Sequence, residues 1–451
     1  MIDVSIEDFG AKGDGKTDCT EAFKSALGAL RNSGGGKLVV KEGVWKTGAI
    51  DLFSDTELFL EKGAVLSFIA DPMLYAPAKT RWEGVDCYAM HALIRSEGQT
   101  NVSITGSGVI DGNGSFWWDL RRKKKEAEQT EPIEEYEKRL AKKNVDYKNQ
   151  PSGGGGRECQ FLRPCLLEFI DCTDVLISGV TVKNSPFWTI HPLYSRWVRL
   201  FGVSVENPSD APNTDGIDID SCTDVVIENC TVSVGDDGIC LKSGSGEDGI
   251  KKARATRNVL VKNCTVKNAH GGIVIGSETA AGISDLLAEN SSFPGTDRGI
   301  RVKTRRGRGG EISNIHLRNL EMTGNLCPIA INMFYRCGVK DEKSPLFSLE
   351  KQKIDHTTPK IRNLTIEGVR AEGCKASAGF IAGLPESAVE NLVIKNCIFS
   401  TDETAKNSPM ESEMTFGIPE TTSKSFRVIN APNAVFENVK ITGPAAPFIY
   451  E

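Results

Sequence analysis

A ten-residue phrase recurs along this chain and constrains its fold more than any other feature. It opens on a polar pair, alternates apolar residues, breaks at Asn or Gly, and resumes with a small or apolar residue. It reads TDVLISGVTV from Thr173, RWVRLFGVSV from Arg196, TDVVIENCTV from Thr223, RNVLVKNCTV from Arg257, SDLLAENSSF from Ser284 and SNIHLRNLEM from Ser313. Weaker copies start at Arg362, Glu390 and Asn433. The early spacings are 23, 27, 34, 27 and 29 residues. Alternation predicts short strands, and the Asn or Gly a bend between two of them. Units this small cannot bury a face alone and must stack on one another. The expectation is therefore all-β: a single-domain parallel β-helix over residues 1–451.

The eighth residue of successive copies tests the stacking. It is Val180, Val203, Cys230, Cys264, Ser291, Leu320, Val369 and Cys397, the small and apolar set that an interior column requires. This reading assigns the cysteines to reduced core packing. Thirteen is odd, no CxxC pair occurs, and neither a disulfide framework nor a structural zinc site is expected. Length alone suggests two or three domains, but repeat folds override that guide.

Composition narrows the partners. Sixty acidic and 54 basic residues give a net charge of −6, with no basic block at either end, which argues against nucleic acid. No apolar run approaches the length of a membrane span. The opening MIDVSIEDFG lacks a charged-then-apolar leader, so a cytoplasmic location is expected, or a periplasmic one if a leader has been removed. From Thr17, TDCTEAFKSALGALRNSGGG predicts a helix that caps the coil. Residues about 115–157 break the repeat with a charged, helically spaced insertion, followed by PSGGGGRE as a flexible joint. Residues 402–425 read as a further loop.

Aligning the second strand of each coil brings out the chemistry. The strings are NTDGIDIDS at Asn213, GDDGICLKS at Gly235, HGGIVIGS at His270 and RGIRVKT at Arg298. Ile217, Ile239, Ile273 and Ile300 are predicted to form one interior ladder, and Ile219, Leu241, Ile275 and Val302 the next. Outside lie Asp215, Asp237 and Arg298, then Asp218, Cys240 and Arg301, then Asp220, Lys242 and Lys303. Neighbouring strands lie about 4.8 Å apart, which would bring Asp215 and Asp237 close. Gly235 and Gly238 allow a bulge that turns Asp236 to the same cleft, with His270 beside it.

Stacked carboxylates repel and push up at least one pKa, which suits hydrolysis of a glycosidic bond: one protonated acid, and one carboxylate to activate water. A calcium site is the alternative use of such oxygens. Asp218, Asp220 and Asp224 fit turn hydrogen bonds better. Arg301 and Lys303 suit an anionic substrate such as a uronic-acid sugar, while Arg305, Arg306 and Arg308 read as a solvated turn.

On the strings DFGAKGDGKTD, NTDGIDID, GDDGICLKSG, HGGIVIGSE and GIRVKT, the chain resembles the family 28 glycoside hydrolases, the polygalacturonase family. That resemblance implies a right-handed parallel β-helix that hydrolyses pectic galacturonan, as polymer or oligosaccharide, with inversion and without metal or cofactor. It makes Asp236 the general acid and gives Asp215 and Asp237 the activation of water. His270 would support the acid, and Arg301 and Lys303 would hold the uronate. NSPFWTIHPL resembles the bacterial exo-acting branch; its Trp188 and His191 either line the cleft or pack under a loop. The insertion, with Trp117 and Trp118, would close one end of the groove and make the enzyme exo-acting. Rhamnogalacturonan or xylogalacturonan hydrolysis, a calcium-dependent pectate lyase and a non-catalytic β-helix adhesin are the competing readings.

Overall fold

The structure is a computed structural model that describes residues 2–151 and 153–451. It divides into two compact units, Met1–Trp82 with Asp86–Gly235, and Glu83–Val85 with Asp236–Glu451. Each is a stack of right-handed parallel β-coils. A coil of the first unit runs through the strands Thr173–Ser178, Thr181–Lys183 and Ile190–Leu193 before the next begins at Arg196.

The repeat arithmetic sets the register. In the first unit Val175 faces Val198, and Val198 faces Val225, the offsets of 23 and 27 read from the phrase. Ile94, Leu167, Ile190 and Ile217 form another ladder there. In the second unit Ile239, Ile273, Ile300 and Ile329 stack, as do Leu241, Ile275, Val302 and Ile331. All of these side chains are buried. Alternate residues of a strand share a face, so each ladder is a continuous apolar wall inside its coil.

The phrase also encodes two left-handed residues per coil. Its second position holds Asp174, Trp197, Asp224, Asn258, Asp285, Asn314, Asn363 and Asn391, with φ between 51° and 61°. Its seventh holds Gly179, Gly202, Asn229, Asn263, Asn290, Asn319, Gly368 and Asn396, again at positive φ. Gly, Asn and Asp tolerate this conformation better than other residues. The asparagines then bond from coil to coil: Asn363 donates to Asn314 at 3.3 Å and Asn391 to Asn363 at 2.9 Å. The predicted eighth-position column is buried at all eight residues. The copy placed at Asn433 is one residue out of phase, because Cys397 faces Val439.

None of the thirteen cysteines is in a disulfide, and all but Cys87 and Cys337 are buried. The capping helix spans Thr20–Asn32 and buries Phe23, Ala26, Leu27 and Leu30. Asp18 Oδ1 accepts from the Thr20 backbone at 2.9 Å and so satisfies the helix start. The insertion is helical over Ser115–Glu126 and Glu135–Lys143, joined by a buried Lys124–Glu137 pair at 2.6 Å. In its glycine-rich joint Ser152 lies outside the described residues. Trp117 and Trp118 are both buried. Trp117 is fully buried against Phe161 and Tyr75, and Trp118 donates its indole N–H to the Ser185 carbonyl at 2.9 Å.

Truncating Ile273 to Ala removes the middle of a buried ladder and should cost about 2–5 kcal/mol. Asn319→Ala forces an ordinary residue into the left-handed bend and should cost about 1–2 kcal/mol. Denaturant titration of both variants checks the order; a larger loss at Asn319 would contradict it.

Candidate active site

Gly238, Gly272 and Gly299 precede the ladder isoleucines, and a Cβ on each would fall within 2.5 Å of Val266, Phe293 or Met322 in the interior. Both members of each Gly-Ile pair therefore look inward. That breaks the alternation, so the residue before the glycine faces out. Asp237 owes its outward position to this close approach.

In the second unit Asp237 pairs with Gly271, and Gly271 with Arg298. Gly271 carries no side chain, so Asp237 reaches past it to the following coil. There Arg301 Nη1 donates to Asp237 Oδ1 at 2.6 Å, and Lys303 Nζ donates to Oδ2. Burial opposes the charge on Asp237, but Arg301, Lys303 and Lys242 override it and hold the carboxyl far below its usual range. Asp236 and His270 meet as the register predicts. His270 N–H donates to the Asp236 carbonyl at 2.8 Å, and Nδ1 lies 3.2 Å from Asp236 Oδ1. The Asp236 hydrogen bond raises the His270 pKa against the effect of burial. Burial pushes Asp236 upward, and the bond from His270 reverses this and holds it down.

Arg301 and Lys303 thus occupy the predicted face, but their partner in the structure is Asp237. Two further residues complete their surroundings. The Tyr335 ring lies 5.6 Å from the Arg301 guanidinium and 5.3 Å from Lys303 Nζ, and Met414 Sδ accepts from Arg301 Nη2 at 3.1 Å. Neither carries a repeat signal. Met414 comes from the 402–425 segment, which is more than a loop: it contains the helix Pro409–Glu413, and Arg298 anchors it by donating to the Ser412 carbonyl at 3.0 Å. The arginines read as solvated are also tied down. Arg306 forks Glu386 at 2.6 and 2.8 Å, Arg308 bonds Ser245, and Arg305 donates to the Cys337 carbonyl at 3.1 Å.

The first unit holds a second charged cluster. Asp215 is 4% exposed and precedes the strand Ile217–Asp220; its carbonyl accepts from Thr189 at 2.9 Å. Asp220 makes a buried ion pair rather than a turn. Arg81, from the hairpin Pro77–Trp82, donates to it at 2.7 Å with both side chains fully buried. Burial resists the Asp220 charge, and Arg81 overcomes it, leaving the carboxyl at about 2. Asp224 does sit on a bend, held by Arg196 at 3.0 Å.

His191 is fully buried, with Nδ1 3.2 Å from Glu168 and Nε2 3.6 Å from Asp220. Both ring nitrogens face protein carboxylates, which raise its pKa well above normal against burial. Of the two readings the sequence leaves open for His191, lining the cleft or packing under a loop, these contacts fit the packed one. Trp188, 3% exposed, stacks on Phe187 at 5.2 Å and meets the His191 ring edge-on at 5.1 Å, the packed alternative again. Cys165, Glu168 and His191 have donor atoms within 4.8 Å of one another. They make a poor metal centre, because burial pushes the Cys165 thiol up to about 12 and Arg95 lies 3.7 Å from Glu168.

The model of the glycosyl hydrolases family 28 matches residues 74–153 and 147–414. A "Probable polygalacturonase" of Vitis vinifera is 35% identical over 330 residues, 71% of this chain and 60% of the relative. An "Exo-poly-alpha-D-galacturonosidase" of Dickeya chrysanthemi is 30% identical over 335 residues, 71% of this chain and 55% of the relative. The chain thus spans less than two thirds of the length of these relatives. The crystal structure of a hyperthermoactive exopolygalacturonase from Thermotoga maritima superposes with a TM-score of 0.77, at 31% identity, covering 97% of this chain and 92% of that one. With that family model spanning most of its length, the chain belongs to family 28 of the glycosyl hydrolases.

Proposed function

We propose that the protein is a glycoside hydrolase that cleaves α-1,4-galacturonosidic bonds of pectic polygalacturonate or oligogalacturonides from a chain end, with inversion. The observation that carries this reading is one arrangement in the second unit: the hydrogen-bonded Asp236–His270 pair directly before Asp237, itself clamped by Arg301 and Lys303. The Thermotoga maritima likeness, over nearly both chains, supports the exo-acting form.

Asp236 and His270 share one proton. When it resides on Asp236 the carboxyl can protonate the leaving glycosidic oxygen, and His270 stores it otherwise. Asp237 stays ionised and takes the proton of the attacking water. For Asp215 the resemblance carried by NTDGIDID implies a water-activating role as well. Arg301 and Lys303 serve two carboxylates. An incoming uronate draws on the same donors that depress Asp237, so its arrival returns basicity to Asp237 when a base is needed. A neutral sugar brings no such exchange, which favours galacturonate over galactose.

No helix among the described residues is long and apolar enough to cross a membrane. The free thiols favour a reducing compartment, where imported oligogalacturonides would be the substrate.

Incubation with polygalacturonate in the presence of a metal chelator, followed by product sizing, tests the activity. The expected products are short, saturated galacturonides accumulating while the long polymer persists. Ultraviolet-absorbing unsaturated products, or a requirement for calcium, would indicate a lyase instead. The His270 pKa is raised, so the shared proton is lost only above the ordinary histidine value of about 6.5. The alkaline limb of kcat/KM is therefore expected above that pH. In His270→Gln the proton rests on Asp236 alone and leaves at lower pH, moving the limb down by about one unit or more. An unmoved limb would remove His270 from the proton pathway.

A further inference from the structure

A cavity of about 1140 Å³ opens in the first unit, between the capping helix Thr20–Asn32 and the edge strand Ile50–Asp51. The reaction proposed above makes no use of it. Lys24, Gly28 and Arg31 line it from the helix, and Asp51, Phe53 and Leu74 from the coil side. Single small-molecule sites hold about 300–1,000 Å³, so this one has room for several linked sugars. Its edge strand begins the row in which Ile50, Ile94, Leu167, Ile190 and Ile217 stack. At about 4.8 Å per strand, that edge lies about 19 Å along the sheet from the strand that follows Asp215.

The helix face over this cavity carries a glycine that the fold does not need. Gly28 sits in the middle of the helix, where glycine is a poor helix former. A Cβ there would meet nothing within 4 Å, so packing does not require the bare backbone. Lys24 stands four residues before it and Arg31 three after, on the same face. A side chain at position 28 would stand in the cavity between them. Its absence leaves an open channel between two cations placed about 10 Å apart along the helix axis.

The charges along the channel are unequally engaged. Asp18 accepts from the Thr20 backbone at 2.9 Å, Glu21 pairs with Lys24 at 3.6 Å, and Asp51 meets His91 Nε2 at 3.1 Å. Arg31 is different. Its guanidinium carbon lies 4.6 Å from the centre of the Phe53 ring, and among the described residues no carboxylate accepts from it. A guanidinium held over an aromatic ring keeps its planar fork for an incoming carboxylate. Phe53 and the exposed Leu74 offer apolar surface to the C–H faces of sugar rings, and Asp51 offers an acceptor to their hydroxyls. An apolar ligand would leave Arg31 unused, and a small inorganic anion would leave the length of the channel unused.

We propose that this channel is a second binding site for an anionic oligogalacturonide, one that holds the chain and does no chemistry on it. Arg31 takes one carboxylate, Lys24 takes another further along the chain, and the sugar rings lie over Gly28 and Phe53. The proposal rests on the hydrolase reading for its substrate class. A long polymer held here stays on the enzyme between cuts, whereas a chain of two or three sugars gains nothing from the extra hold.

Calorimetric titration of the full chain carrying Asp236→Asn, which prevents turnover, should show two molecules of trigalacturonate bound. Two groove substitutions added to that background should each leave one. Gly28→Leu fills the channel and favours the helix, so its thermal transition should not fall; Arg31→Gln removes the fork. With Asp236 intact, both substitutions should leave kcat/KM for trigalacturonate unchanged and raise KM for long polygalacturonate about 10-fold at constant kcat. Galactotriose, which has no carboxylate, should not enter the channel. One trigalacturonate bound before any groove substitution, two still bound after both, or galactotriose bound equally well would overturn the proposal. Hydrolysis of trigalacturonate by the native enzyme separates this from failure of the underlying reading: an enzyme inactive on every galacturonide would sink the hydrolase assignment, and the second site with it.

Discussion

The coil register is the constraint on which everything else depends. Parallel strands with a two-residue side-chain period tolerate no slip, because moving one strand by one residue turns its whole apolar set outward. Here the register is fixed twice in each coil, by left-handed residues at the second and seventh positions of the repeated phrase. Asn and Asp fill most of these positions and also bond along the stack. Trp197 is the exception: a large aromatic at φ 55°, 47% exposed, with Arg196 4.4 Å from its ring.

A fixed register permits a functional departure from it. The Gly-Ile pairs place two consecutive residues inside, and this turns Asp237 out onto the face of Arg301 and Lys303. Charges buried this deeply are kept only when partners satisfy them. Asp237 has two cations and, in the first unit, Asp220 has Arg81; Asp236, only half-buried, is paired with His270. Under the proposed function the first of these arrangements also accounts for selectivity, since a substrate with its own carboxylate can compete for those cations.

Local features were legible in the sequence because they recur. The phrase gave the strands, the bends and the buried eighth position, and its offsets placed Ile239, Ile273 and Ile300 on one ladder and His270 beside Asp236. Lys242 was legible too, standing three residues after its ladder isoleucine as Lys303 does. The failures share one cause. Arg306–Glu386 and Arg81–Asp220 join residues 80 and 139 positions apart with no periodic signal, so Arg306 read as solvated and Asp220 as a turn. His191 stayed open between cleft and interior, because alternation assigns it outward while the enclosing Glu168 and Asp220 lie on other coils. The 402–425 segment has no pattern, and only the folded chain brings Met414 to Arg301.

The central claim is that Asp236 and Asp237 divide the work of acid and base on an α-linked galacturonide with no covalent intermediate. Proton NMR of the first-formed reducing end, recorded before mutarotation in buffer containing chelator, addresses it directly. Direct attack by water predicts that the β-anomer appears first and then equilibrates. An α-anomer appearing first, or a 4,5-unsaturated end, would contradict the account.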